Sequence, residues 1–299
     1  MIEIIDTHQH LWDLQRINLP WLVNVPVLNH DFLPADYLKA AEDSGITGTV
    51  YMEVDAHPDN KQQEIEDMTQ HCETEGNIMQ GMVISVNPGD PGFSEFLENN
   101  SGNQFIKGVR QVLHTQEQPP KYCLTPEFMQ GIRELGKRGL LFDICVRPAE
   151  LEDAVELCRK IPETTFVLDH CGNADPYVVN GQYKQDTKNT DSTYVHSREN
   201  WQNGIRELGR LENVFCKISG IVSRAKPGWN AETLEPAVNA CLDAFGEDHV
   251  VFGGDWPVCT LGASLSEWVT ALREIVSNRP VLLQEKLFHL NAKRLYNLE

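Results

Sequence analysis

LLFDICVRPAELEDAVELCRKIPETTFVLDH, residues 140–170, decides how the rest of the chain is read. Leu140–Val146 is a short β-rich run, Glu150–Lys160 repeats its apolar residues at helical spacing, and Thr165–His170 is apolar until its last two residues. Both β-rich runs are apolar on successive positions, which is the pattern of strands covered on both faces. A strand, a helix and a second strand in so short a span make a crossover unit whose strands run parallel.

The same alternation extends outward in both directions. Further β-rich runs bounded by turn signals fall at Ile2–Asp6, Gly48–Asp55, Ile78–Val86, Phe105–Leu113, Val214–Ser219 and Val250–Asp255, making eight in all. Helical patterns lie between them at Pro34–Ser44, Lys61–Glu75, Pro126–Lys137, Trp201–Leu211, Glu232–Phe245 and Leu265–Val276. Eight is the number that closes a parallel sheet, so the expected fold is an α/β protein, a (β/α)8 barrel of the TIM type. No linker, repeat or low-complexity tract divides the sequence, so one domain over residues 1–299 is expected, with Leu282–Leu298 as an extra C-terminal helix packed outside the barrel. Residues 11–33 and 174–200 are longer than barrel turns need. Both follow strands, which puts them at the face where barrel sites are built, as covers for substrate or as solvated excursions.

Composition narrows the function. Forty-four acidic against twenty-five basic residues give a formal charge of −19, which repels nucleic acid and anionic membrane surfaces. The N-terminal MIEIID has neither the basic nor the apolar region of a secretory signal, and no apolar stretch reaches bilayer-spanning length. Eight scattered cysteines form no CxxC pair and read as reduced core thiols. A cytoplasmic protein acting on a small molecule is expected, with no nucleic-acid or membrane partner and a homo-oligomer left open.

The chemistry collects at the ends of three runs. In Asp6-Thr7-His8-Gln9-His10 the two histidines project to one side of a strand, a pair suited to zinc or another borderline divalent ion. The sixth run ends in Asp169-His170, and the eighth, VVFGGDWP, ends in Asp255 behind two glycines that allow close backbone approach. Taken singly, each histidine reads equally as a hydrogen-bonded core residue. Three independent strand ends bearing histidine or carboxylate make a metal or acid/base centre the stronger reading. Glu53 in VYMEVD is a further candidate ligand, and Arg147 and Ser219 sit at other strand ends. Arg110 in IKGVRQVL has two readings, a fork onto a substrate oxygen or an internal ion pair with Glu53 or Asp143. Lys217 in FCKISG is a second candidate for substrate binding or a structural snorkelling residue, and Trp12 and Trp256 are candidate pocket walls. His57, His71, His196 and His249 carry no such argument.

The motifs DTHQHLWD, HDFLPADYLKAAEDSGITGTV, KGVRQVL, VLDHCGNADP, CKISGIVSR, FGGDWPV and NAKRLYNL, in this order, resemble amidohydrolase family 2 of the metal-dependent hydrolases. More narrowly they resemble its sugar-lactonase group, which holds L-fuconolactonases, L-rhamnonolactonases and the pyrone dicarboxylate lactonase. The resemblance implies His8 and His10 as first-strand metal ligands, His170 as the sixth-strand histidine and Asp255 as ligand and general base. The fifth run, LLFDICV, departs from the broader superfamily in carrying no histidine, so one divalent ion is expected, zinc first, with metal-free operation left open. The expected activity is opening of a sugar-acid lactone by water that Asp255 activates, with His170 as a second catalytic group. The alternatives are a decarboxylase of the same superfamily and a barrel that binds a ligand without turning it over.

Overall fold

The computed structural model describes residues 2–182 and 193–298. The strands are β1 (Ile4–Gln9), β2 (Ile46–Met52), β3 (Met79–Ser85), β4 (Ile106–Val112), β5 (Leu141–Cys145), β6 (Phe166–Leu168), β7 (Val214–Ile218) and β8 (Val250–Phe252). They pair in sequence order, every pair parallel. The crossovers are α1 (Pro34–Ala40), α2 (Lys61–Glu73), α3 (Phe93–Asn99), α4 (Pro126–Arg138), α5 (Leu151–Lys160), α6 (Arg198–Leu208) and α7 (Ala231–Phe245), and α8 (Leu265–Ile275) follows the last strand. The fold is therefore the (β/α)8 barrel that the alternation predicts. The helices form where sequence signals coincide. In α4, Thr125 caps the N-terminus ahead of Pro126, Phe128, Ile132 and Leu135 face inward, and Gly139 ends the helix in left-handed backbone.

β1 and β8 meet at a seam near the C-terminal mouth. The Asp255 amide donates to the His8 carbonyl at 2.8 Å, the His10 amide donates to the Trp256 carbonyl at 2.8 Å, and Gln9 bridges Trp256. Asp6 bonds the same two strands through its side chain: Oδ1 accepts from the amides of His8 (2.9 Å) and Gly254 (2.7 Å), while Oδ2 accepts from the Tyr37 hydroxyl on α1 (2.7 Å). A Cβ on Gly254 would lie 2.3 Å from Asp6 Oδ2, so glycine is what lets the eighth strand approach this carboxylate.

One expectation is corrected. Strand geometry was expected to continue to His170 and Asp255, but β6 stops at Leu168 and β8 at Phe252. His170 has φ 54° and Asp255 φ 55°, left-handed values that no strand contains. The expected C-terminal helix is present. It runs as Val281–Glu285, a wider turn at Lys286–Leu290 and Asn291–Tyr296. Its end places Tyr296, 1% exposed, in one apolar cluster with Val50, Met52, Val83, Leu141, Val167 and Phe215 from the strands. The segment thus stoppers the N-terminal mouth, whose apolar layer would otherwise face water. Of the long stretch 174–200, residues 183–192 lie outside the described residues.

Candidate active site

His8, in β1, and His10, one residue past its end, come together with ring centroids 4.8 Å apart. His10 Nδ1 lies 2.9 Å from the Met52 carbonyl. A carbonyl only accepts, so this nitrogen carries the proton and donates. The Nε2 of His10 faces Asp255, 3.4 Å from Oδ1. His8 Nε2 lies 3.7 Å from the same oxygen.

His170 enters from the far side, its ring 4.5 Å from His8. His170, Cys171, Gly172 and Asn173 all have positive φ, at 54°, 51°, 66° and 57°. Such backbone costs non-glycine residues on the order of 1–3 kcal/mol each and persists where its surroundings enforce it. Here the enforcement is visible: Ser219 Oγ sits 3.0 Å from His170 Nδ1 and accepts from the His170 amide at 3.3 Å. Gly220 leaves room for the ring, since a Cβ there would fall 2.3 Å from His170 Nδ1.

Below these rings lies a buried polar layer. Lys217 Nζ donates to Asp143 Oδ1 at 2.6 Å and pairs with Asp169 Oδ1 at 3.0 Å. Arg110 donates through Nε to Glu53 Oε1 at 2.5 Å, through Nη2 to the Glu53 carbonyl at 2.7 Å and through Nη1 to Asp169 Oδ2 at 3.3 Å. Both cations also border His8, Lys217 Nζ 3.3 Å from Nδ1 and Arg110 Nη1 3.3 Å from Nε2. Burial, with Lys217 and His170 nearby, holds the His8 imidazole well below its ordinary range against the pull of Asp169. Burial also lowers His170. For Asp169 burial acts upward, but Lys217 and His8 outweigh it and keep the carboxylate ionised.

The sequence-named residues therefore divide. His8, His10, His170 and Asp255 converge, and His8, His10 and Asp255 offer ligand atoms all within 4.8 Å of one another. Trp12 walls the adjoining cavity of about 620 Å³, and Arg110 reaches its edge. Lys217 is fully buried in its ion pairs, and Trp256 packs edge-on against Phe32 and Tyr37 behind the site. Glu53 does not join the cluster: one carboxylate oxygen is taken by Arg110 and the other accepts from the Asp55 amide at 2.7 Å. The sequence reading missed several cavity-lining residues, His114, Asn173, Ser223 and Arg224. Arg224 donates to the Asn173 carbonyl at 2.6 Å, and its guanidinium lies 3.6 Å from the centroid of the Tyr194 ring. Its place in SGIVSR, immediately after β7, was the available signal.

The donor set fits a divalent cation. His10 Nε2 and Asp255 Oδ1 face each other at 3.4 Å, an arrangement that a proton or cation between them satisfies. His8, His10 and Asp255 together offer two imidazole nitrogens and a carboxylate oxygen, a donor set suited to a borderline divalent ion.

A family model described as amidohydrolase matches residues 5–298. An uncharacterised protein, y4mH of Sinorhizobium fredii, is 28% identical over 313 residues, covering 99% of each chain. An L-fucono-1,5-lactonase of Burkholderia multivorans is 27% identical over 281 residues, covering 92% of this chain and 89% of that one. Among solved structures, an amidohydrolase from Burkholderia multivorans superposes with a TM-score of 0.84 at 25% identity, covering 99% of this chain and 100% of that one. A second crystal form from that organism, with zinc bound, gives 0.83 at 24%, with the same coverage.

Proposed function

Because the chain belongs to the amidohydrolase family, we propose that it opens a sugar-acid lactone of the L-fucono- or L-rhamnono-lactone type by attack of water on the ring carbonyl. The observation that carries the reading is the standing of Asp255. Glu53, Asp143 and Asp169 are spent in ion pairs with Arg110 and Lys217, whereas Asp255 opens onto the cavity beside two histidines.

Asp255 takes a proton from the water as its oxygen bonds to the carbonyl carbon. The ring C–O bond then breaks, and the departing oxygen takes up that proton from Asp255, directly or relayed by His170, giving the open hydroxy acid. Ser219 orients His170 for this transfer, and the Met52 carbonyl fixes the ring of His10. His8, His10 and Asp255, with His170 adjacent, would hold one divalent ion, zinc by donor type, which when bound polarises a carbonyl and acidifies water. A pH-indicator screen of sugar lactones, before and after chelation and zinc return, tests the reading. Acid release that falls with chelator and recovers with zinc is expected. Release of carbon dioxide from an unsaturated or aromatic acid, with every lactone left intact, would overturn it.

A further inference from the structure

The cavity above Asp255 has two unlike sides. Because the strands follow sequence order around the barrel, β8, β1 and β2 are neighbours on one side and β4 to β7 on the other. The segments after β1 and β8 contribute Trp12, Trp21, Val25, Leu28, Val258 and Leu261 to the lining. Both indoles have spent their polar atom, Trp12 Nε1 on the His30 carbonyl at 2.7 Å and Trp21 Nε1 on the Val54 carbonyl at 2.8 Å. What remains facing the cavity is carbon. Above His10 and Asp255 at its floor, Asn24 and Asp55 are the polar exceptions on this side. Opposite stand His114, Thr115, Asn173, Ser223 and Arg224, interspersed with Val112, Cys145 and Tyr194.

Of the lining residues on this side, Leu261 is also 43% exposed, so the apolar wall reaches solvent there. At about 620 Å³ the cavity lies well inside the range of roughly 300–1,000 Å³ that houses drug-sized ligands, more than a bare six-carbon lactone fills.

We propose that the substrate is an amphipathic lactone, its ring oxygens turned to the β4–β7 side and a hydrophobic substituent several carbons long laid along the Trp12–Trp21–Leu261 wall. The proposal rests on the lactonase reading and narrows it. The test is a series of δ-lactones from δ-valerolactone through δ-hexalactone and δ-decalactone to δ-dodecalactone, run beside L-fucono-1,5-lactone on the full chain. Expected is a rise in kcat/KM of about twofold to fourfold per added methylene, the upper figure corresponding to roughly 0.8 kcal/mol per buried CH2. Leu261→Asp and Val25→Asp should flatten that dependence, with circular dichroism reporting that each variant is folded. Hydrolysis of the sugar lactone with no gain along the series would overturn the amphipathic substrate and leave the lactonase reading standing. A gain that survives both variants would overturn the assigned wall. Failure on every lactone would overturn both readings together.

Discussion

Asp255 combines three properties that seldom coincide: left-handed backbone at φ 55°, a main-chain amide tied to the opposite strand, and a carboxylate facing a cavity. If it is the water-activating base, Asp255→Asn should keep the fold and the KM while turnover drops by about two to four orders of magnitude, as read by steady-state kinetics and circular dichroism. Near-normal turnover would hand the role to a histidine or to Asp55. Arg110 behaves differently. It is 5% exposed and neutralises Glu53 and Asp169, so Arg110→Ala should cost about 3–5 kcal/mol in denaturant unfolding, the penalty of stranding buried charge. A change confined to KM would make it a substrate contact instead. At this scale sequence reading goes as far as strand parity and strand ends can take it. Those put His8, His10, His170 and Asp255 together, whereas the choice between the two readings of Arg110 and Lys217 depended on partners 57 and 74 positions away. Nothing local encodes a partner across a barrel.

The strands were legible because the barrel covers both of their faces, so each reads as an unbroken apolar run. Their ends were not, because the chain turns left-handed at His170 and Asp255 within runs whose composition still looks like strand. Helix α3, FSEFLEN, is seven residues long and gives too few turns for periodicity to stand out. The C-terminal segment was legible as helix but not as a stopper, since its apolar residues read the same whether they rest on the outside of a barrel or close its end. Tyr296→Ala tests that closure. It should destabilise by about 3 kcal/mol or more, with the midpoint of denaturation shifting at nearly unchanged slope. Wild-type stability would mean that the lower mouth is closed by other groups.

For the whole molecule, acid sensitivity follows from the cavity's histidines. His114 is lowered from its ordinary 6.5 to about 3, by desolvation first and then by Arg224 and His170. Between those values the unfolded chain binds a proton that the folded chain refuses. The stabilisation is therefore present above pH 6.5 and drains away as pH falls toward about 3. His114→Gln should flatten the fall of Tm with pH across this window, and an unchanged slope would assign it to other groups. The described helices include none long and apolar enough to cross a membrane. The seam between β1 and β8 has a consequence in time as well as in space. His8 and His10 lie in and just past the strand made first, while their carboxylate partner comes about 245 residues later, joined through contacts such as Thr7 Oγ1 to the Phe252 carbonyl. During synthesis the ribosome must therefore release nearly the whole chain before any catalysis is possible. Onset of turnover in a translation reaction would be a clock for the final ring closure, and no nascent fragment ending before residue 255 should run ahead of it.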